Sequence, residues 1–143
     1  MIKNKKIVIV IPSYKVSKHI LKVIRDIPEF VSHIIVIDDK CPQNSGKIAE
    51  LSDDRRVIVC YHEVNQGVGG AVVTGYRKAM ELGADIVVKI DGDGQMDVNY
   101  MPLLIQPLIE EKADYTKGNR FTDFKALRQM PKVRLLGNSG LSF

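Results

Sequence analysis

Four short runs of β-branched and aliphatic residues punctuate the chain, each too short for a helix and each closed by polar or turn-forming residues. The first covers residues 5–11 and ends in Pro12-Ser13-Tyr14; the second covers 34–37 and ends in Asp38-Asp39. The third covers 57–61, and the fourth, Ile86-Val87-Val88-Lys89-Ile90, runs into Asp91-Gly92-Asp93-Gly94. These runs are continuous rather than alternating, the pattern of strands buried on both faces of a parallel sheet. Between them apolar residues recur at helical spacing. Ile20, Leu21, Ile24 and Ile27 predict a helix with Ser17 as its cap and Pro28 at its end, and Ile48 and Leu51 mark a short one. The glycines within residues 65–76 open into a third helix that runs to about Leu82 and is closed by Gly83, and its small residues call for close packing on the sheet. Residues 98–112 predict a fourth, with Pro102 in its first turn and a kink at Pro107, and residues 113–117 a fifth strand.

Strands alternating with helices predict an α/β fold: a Rossmann-like, mostly parallel sheet with helices on both faces and right-handed crossovers. Ligands of such sheets lie beyond the carboxyl ends of the strands, where strand order reverses. In a 3-2-1-4 order the ends of strands one, two and four are neighbours. Ser13 and Tyr14, Asp38 and Asp39, and Asp91 and Asp93 would then share one rim.

Composition narrows the class. The 143 residues are 45% hydrophobic and 27% charged, which fits a globular domain rather than a disordered chain. A net charge of +4 is mildly basic, but the lysines form no stripe interleaved with aromatics, so a nucleic-acid partner is not expected. Cys41 and Cys60 show no pairing pattern and read as reduced thiols of a cytosolic protein. No apolar run approaches the roughly 18–20 residues that span a bilayer. Pro12 also stops the first apolar run too early for a signal peptide. Residues 122–143 are basic and amphipathic and stop at Phe143 without a polar tail. They are expected to begin a further part of a longer protein, following a globular domain over residues 1–121.

The chemistry concentrates after the fourth strand. Gly92 and Gly94 free the backbone to bend, so Asp91 and Asp93 can converge on one hard cation, with Gln95 adding a neutral oxygen. A calcium loop is excluded, because its required glycine falls on Met96 and its final glutamate on Pro102. The glycine stretch from Gly67 lacks the Gly-Lys-Ser/Thr end of a P-loop, and the dinucleotide fingerprint would need glycine at Val72. Tyr14 is placed to stack on a nucleobase. Asp38 or Asp39 could accept a base N–H or a ribose hydroxyl, and Arg120, just past the fifth strand, could contact phosphate. His19, His33 and His62 are isolated in sequence and read as surface or satisfied histidines. Two other readings stay open: an aspartyl phosphotransferase with Asp91 as nucleophile, and a nucleotide-binding fragment without turnover.

With these residues assembled, the chain resembles the N-terminal part of a family 2 inverting glycosyltransferase of the GT-A type, closest in pattern to dolichyl- or polyprenyl-phosphate sugar transferases. The resemblance rests on Val10-Ile11-Pro12-Ser13-Tyr14, Ile37-Asp38-Asp39, Asn65-Gln66-Gly67-Val68-Gly69-Gly70-Ala71, Asp91-Gly92-Asp93-Gly94-Gln95 and Gly118-Asn119-Arg120-Phe121, which arrive in family order. It implies a nucleoside-diphosphate sugar as donor, contacted by Pro12, Ser13, Tyr14, Asp38, Asp39, Gly67, Gly92 and Arg120. It implies Mg²⁺ or Mn²⁺ on the donor diphosphate, held by Asp91, Asp93 and Gln95, with Asp91 and Asp93 at the reaction centre. It also implies a lipid-phosphate acceptor at a membrane surface, with residues 1–121 as the nucleotide-sugar-binding domain and residues 122–143 as the start of an acceptor-side or membrane-associated part. The chain departs from the pattern at Gly67-Val68-Gly69, where many relatives carry a lysine for the diphosphate.

Overall fold

The structure, a computed structural model, describes residues 4–114 and 116. The chain divides into two compact units, Met1–Met96 and Asp97–Phe143. The expected domain boundary near residue 121 and the basic segment 122–143 lie outside the described residues, as does Arg120.

The first unit is a four-stranded parallel sheet in the order β3-β2-β1-β4, the order expected above. Its strands are β1 (Ile7–Ser13), β2 (His33–Asp38), β3 (Val57–Tyr61) and β4 (Ile86–Lys89). Registers run from Val8↔His33 to Ser13↔Asp38 between β1 and β2, and from Ile7↔Ile86 to Val10↔Lys89 between β1 and β4. β1 is therefore longer than its apolar run: Pro12 and Ser13 still pair with β2. Ile7 to Ile11 are wholly buried, as are Ile34 to Ile37, which is why both runs read as continuous rather than alternating.

Three helices join these strands: α1 (Ile20–Asp26), α2 (Ser45–Ala49) and α3 (Gly67–Glu81). α1 and α2 touch each other, and α3 packs on β1 and β2. Right-handed crossovers place α1 and α2 on one face and α3, which carries the chain back past β1, on the other. Val8, Val10, Ile35 and Ile37 meet Ala71 and Ala79 of α3 in one core cluster. A Cβ on Gly75, between those alanines on the same face, would stand 2.2 Å from Val10 Cγ1, so the helix backbone rides directly on β1.

Several local expectations change. Ser17 does not cap α1; the cap position is His19, which makes no side-chain cap bond, and the Ser17 hydroxyl donates to Gln43 Oε1 at 3.0 Å. Leu21 is 39% exposed, and Ile20, Val23 and Ile24 form the buried stripe instead. Leu51 lies past the end of α2 and is 70% exposed.

In the second unit, Asp97 accepts the Asn99 N–H at 2.9 Å and opens a 3₁₀ turn, Val98–Tyr100. α4 (Met101–Ile109) follows, continues through Pro107, and buries Met101, Ile105 and Ile109, four residues apart on one face. Among the described residues of 113–117, Ala113, Asp114 and Thr116 are not in a strand; the Thr116 hydroxyl donates to the Leu104 carbonyl at 2.8 Å.

Candidate active site

The strand order reverses at β1, with β2 and β3 on one side and β4 on the other, and a cleft of about 540 Å³ opens there beyond the carboxyl ends. Pro12, Ser13, Tyr14, Asp39, Gly67, Asp91, Gly92 and Asp93 line it, as expected for a shared rim. Lys15, Val16, Asn65, Val68 and Ala71 complete the lining. Asp38 and Gln95 are not part of it.

The two neighbouring aspartates at the end of β2 do different things. Asp38 is buried, its Oδ1 accepting the Cys41 N–H at 2.7 Å and its Oδ2 the Gly46 N–H at 2.8 Å. With one oxygen taken by an amide of the β2–α2 loop and the other by an amide in the first turn of α2, it organises the β2–α2 connection. Asp39, on the alternate side of the chain, lines the cleft and uses one oxygen for support: Oδ1 accepts the Gln66 N–H at 2.8 Å and bonds His62 Nδ1 at 2.8 Å. His62 Nε2 in turn bonds the Thr74 hydroxyl of α3 at 2.8 Å. An Nδ1–H donated to the carboxylate leaves Nε2 of a neutral ring as acceptor for the threonine. Asn65 Nδ2 donates to the Asp39 carbonyl at 2.9 Å, so the glycine stretch and α3 are both tied to this one residue.

Tyr14 and Lys15 follow β1. Tyr14 is 44% exposed, and the Lys15 ammonium lies 5.4 Å from its ring centroid. Lys15 has a left-handed backbone, φ 59°, held where its N–H donates to Cys41 Sγ at 3.0 Å while the next amide, Val16, donates to Ser45 Oγ at 3.1 Å. Burial pushes the Cys41 thiol up, but hydrogen bonds from Ser45 and from the Lys15 and Gln43 amides outweigh it and hold the thiol below its ordinary value. Ser13 is buried and its hydroxyl donates to the Ile11 carbonyl, while its own carbonyl accepts the Asp39 N–H at 3.2 Å.

After β4, a Cβ on Gly92 would stand 3.0 Å from Val16 Cγ2, so glycine lets this loop close against the β1–α1 loop. Gly94 has φ 80°, and the Gln95 N–H donates to Asp93 Oδ1 at 3.0 Å. Gln95 thus supports Asp93 through its backbone. Lys89, the last residue of β4, reaches Asp91 Oδ1 with its Nζ at 2.7 Å, its side chain only 1% exposed. The described residues contain no group of three or more His, Cys, Asp or Glu able to cage a metal. Two carboxylates on one wall do fit a hard cation of the Mg²⁺ or Mn²⁺ kind, which takes one or two protein carboxylates and completes its shell with substrate phosphates and water.

The sequence assigned Lys89 no role; His62 is a satisfied histidine, one of the two readings given for it, but its partners Asp39 and Thr74 were not foreseen. A lone charge inside a β-branched strand, two residues before Asp91 and hence on the same side, was the available signal for Lys89. His62 and Asp39 are 23 residues apart and meet only through the pairing of β2 with β3.

The chain is 37% identical to the UDP-N-acetylglucosamine–dolichyl-phosphate N-acetylglucosaminyltransferase of Methanococcus voltae, over 98% of its own length and 62% of that relative's. It is 31% identical to the undecaprenyl-phosphate mannosyltransferase of Micrococcus luteus, over 80% of its own length and 48% of the relative's. Among solved structures it resembles glucosyl-3-phosphoglycerate synthase of Mycobacterium tuberculosis. The complex with Mn²⁺, UDP and phosphoglyceric acid superposes with a TM-score of 0.64 at 24% identity, covering 80% of this chain and 43% of that one. The complex with Mn²⁺, UDP and glucosyl-3-phosphoglycerate gives 0.59 at 26% identity, covering 73% and 40%. The model of glycosyl transferase family 2 matches residues 8–141, from β1 through every motif that shapes the cleft, and the chain belongs to that family.

Proposed function

We propose that this chain is the donor-binding portion of an enzyme that transfers a sugar, with inversion, from a nucleoside-diphosphate sugar to a polyprenyl or dolichyl phosphate at a membrane surface. The observation that carries this reading is the convergence of Tyr14, Asp39, Asp91 and Asp93 on one cleft at the point where strand order reverses. Family membership favours it over an aspartyl phosphotransferase. The lipid-phosphate acceptors in the names of the Methanococcus and Micrococcus relatives support the acceptor class, and the Mn²⁺ and UDP complex at 26% identity supports the donor class.

Each residue has a role that its setting suits. The exposed Tyr14 ring offers a stacking face, and Asp39, with Oδ1 occupied, keeps Oδ2 for a base N–H or ribose hydroxyl. Asp93 and Asp91 would hold Mg²⁺ or Mn²⁺ against the donor diphosphate. The cation there would neutralise the negative charge that grows on the nucleoside diphosphate as the sugar–phosphate bond breaks. Lys15, at the same wall, adds a cation on the protein side. An acceptor phosphate is already anionic at neutral pH, so attack on the anomeric carbon needs no general base. No helix among the described residues is long and apolar enough to cross a membrane.

Calorimetric titration with UDP, GDP and dTDP, with and without Mn²⁺, tests the reading on wild type and Asp93→Ala. At least one diphosphate should bind, weakening about tenfold or more, or about 1.4 kcal/mol, without the metal or without Asp93. Metal-independent binding, or no binding to any of the three, would overturn it.

A further inference from the structure

Lys89 is the one lysine among the described residues whose side chain is essentially sealed from water, and it sits directly beneath the acidic wall. An ammonium in such a place requires a counter-charge, since burying either ion without the other is strongly unfavourable. Asp91, its Oδ1 at 2.7 Å from Nζ, supplies that charge before any ligand arrives. Asp93 is paired with no cationic side chain among the described residues; its Oδ1 accepts only the Gln95 amide. The three groups together carry a net charge of −1 rather than −2. No further His, Cys, Asp or Glu joins them to complete a metal cage among the described residues.

We infer that Lys89 is a positioning residue that makes cation capture conditional on the sugar donor. It holds the Asp91 carboxylate by one oxygen, and it cancels one of the two negative charges that would otherwise attract a divalent ion to the empty cleft. The protein alone then offers too little charge and too few oxygens to retain the ion. A nucleoside diphosphate supplies both, so cation and donor enter as one thermodynamic unit, each raising the affinity of the other by the same factor. Sequence position supports the assignment. Lys89 and Asp91 stand two apart at a strand end, so both side chains leave the same side of the backbone, and the buried ammonium lies against the carboxylate. The inference rests on the donor reading given above and specifies how that site avoids holding metal without substrate.

Electron paramagnetic resonance of Mn²⁺ tests it, since the free-ion signal reports binding without any turnover. The 143-residue chain is titrated with Mn²⁺ alone and then with Mn²⁺ plus whichever of UDP, GDP and dTDP binds by calorimetry. Wild type should leave the Mn²⁺ signal nearly unchanged until the diphosphate is added. Lys89→Met should take up Mn²⁺ unaided, at least about tenfold more tightly than wild type. Lys89→Arg, which keeps the charge, should behave as wild type, and Lys89→Met with Asp91→Asn should lose the gain. Circular dichroism melting verifies that each variant is folded. Tight uptake of Mn²⁺ by nucleotide-free wild type overturns the inference, as does unchanged uptake in folded Lys89→Met. If Lys89→Met does not fold, the wild-type titration alone decides. Failure of all three diphosphates to bind with Mn²⁺ sinks the donor reading itself. Diphosphate binding combined with Mn²⁺ uptake indifferent to residue 89 sinks only the role of Lys89.

Discussion

Replacing Asp38 by alanine removes two acceptors at once from a site that water does not reach. The residue is 4% exposed, and its carboxylate oxygens hold the Cys41 and Gly46 amides at 2.7 and 2.8 Å. A hydrogen bond to a charged group contributes about 1.5–3 kcal/mol, and a buried amide left without a partner costs about 1–3 kcal/mol. Allowing for partial relaxation of the α2 end toward solvent, the loss should be about 3–5 kcal/mol. That is a large part of the roughly 5–15 kcal/mol that a domain commands. Gly46 leaves little room to adjust, because even a Cβ there would meet Tyr61 Cε1 at 2.7 Å and Asp38 Oδ2 at 2.8 Å. Asp38→Asn keeps one oxygen as acceptor and turns an N–H₂ toward the other amide, so its loss should be smaller, about 2 kcal/mol. Urea unfolding followed by circular dichroism measures both, with an unchanged slope confirming that the unfolding transition is the same. A loss below about 1 kcal/mol in Asp38→Ala, together with abolished diphosphate binding, would refute the structural role and return Asp38 to the ligand site.

Two further outcomes follow from the packing around the cleft. Gly75→Ala places a methyl 2.2 Å from Val10 Cγ1 and should destabilise by about 1–3 kcal/mol or more, lowering the midpoint of thermal unfolding by several degrees; an unchanged midpoint would show that α3 does not lie this close to β1. His62→Ala removes a bond to Asp39 Oδ1 and the link from there to Thr74, so the diphosphate affinity of the folded variant should fall about three- to tenfold by calorimetry. Unchanged affinity would mean that Asp39 needs no such support.

Much of the site was legible in one dimension because the information is local. A β-branched run followed by a polar cluster marks a strand and its carboxyl edge, and three such edges were enough to anticipate one rim carrying Tyr14, Asp39, Asp91 and Asp93. β3 and the span of α3 were readable for the same reason: period, flanking glycines and small residues are properties of neighbours in sequence. Helix caps were less so. Ser17 had the right chemistry for a cap, yet Gln43 offered its hydroxyl a partner from another loop.

The amino-acid sequence by itself determined the parallel sheet, the order of its motifs and the residue types that converge at its edge, since these depend on burial and spacing along the chain. The tertiary structure alone decided which member of each pair does what. Asp38 and Asp39 are indistinguishable as letters, but alternation along an extended chain sends one onto amides of the β2–α2 connection and the other into the cleft. The partners that settle a polar group's role lie on other strands and loops, brought within hydrogen-bond reach only when the sheet forms.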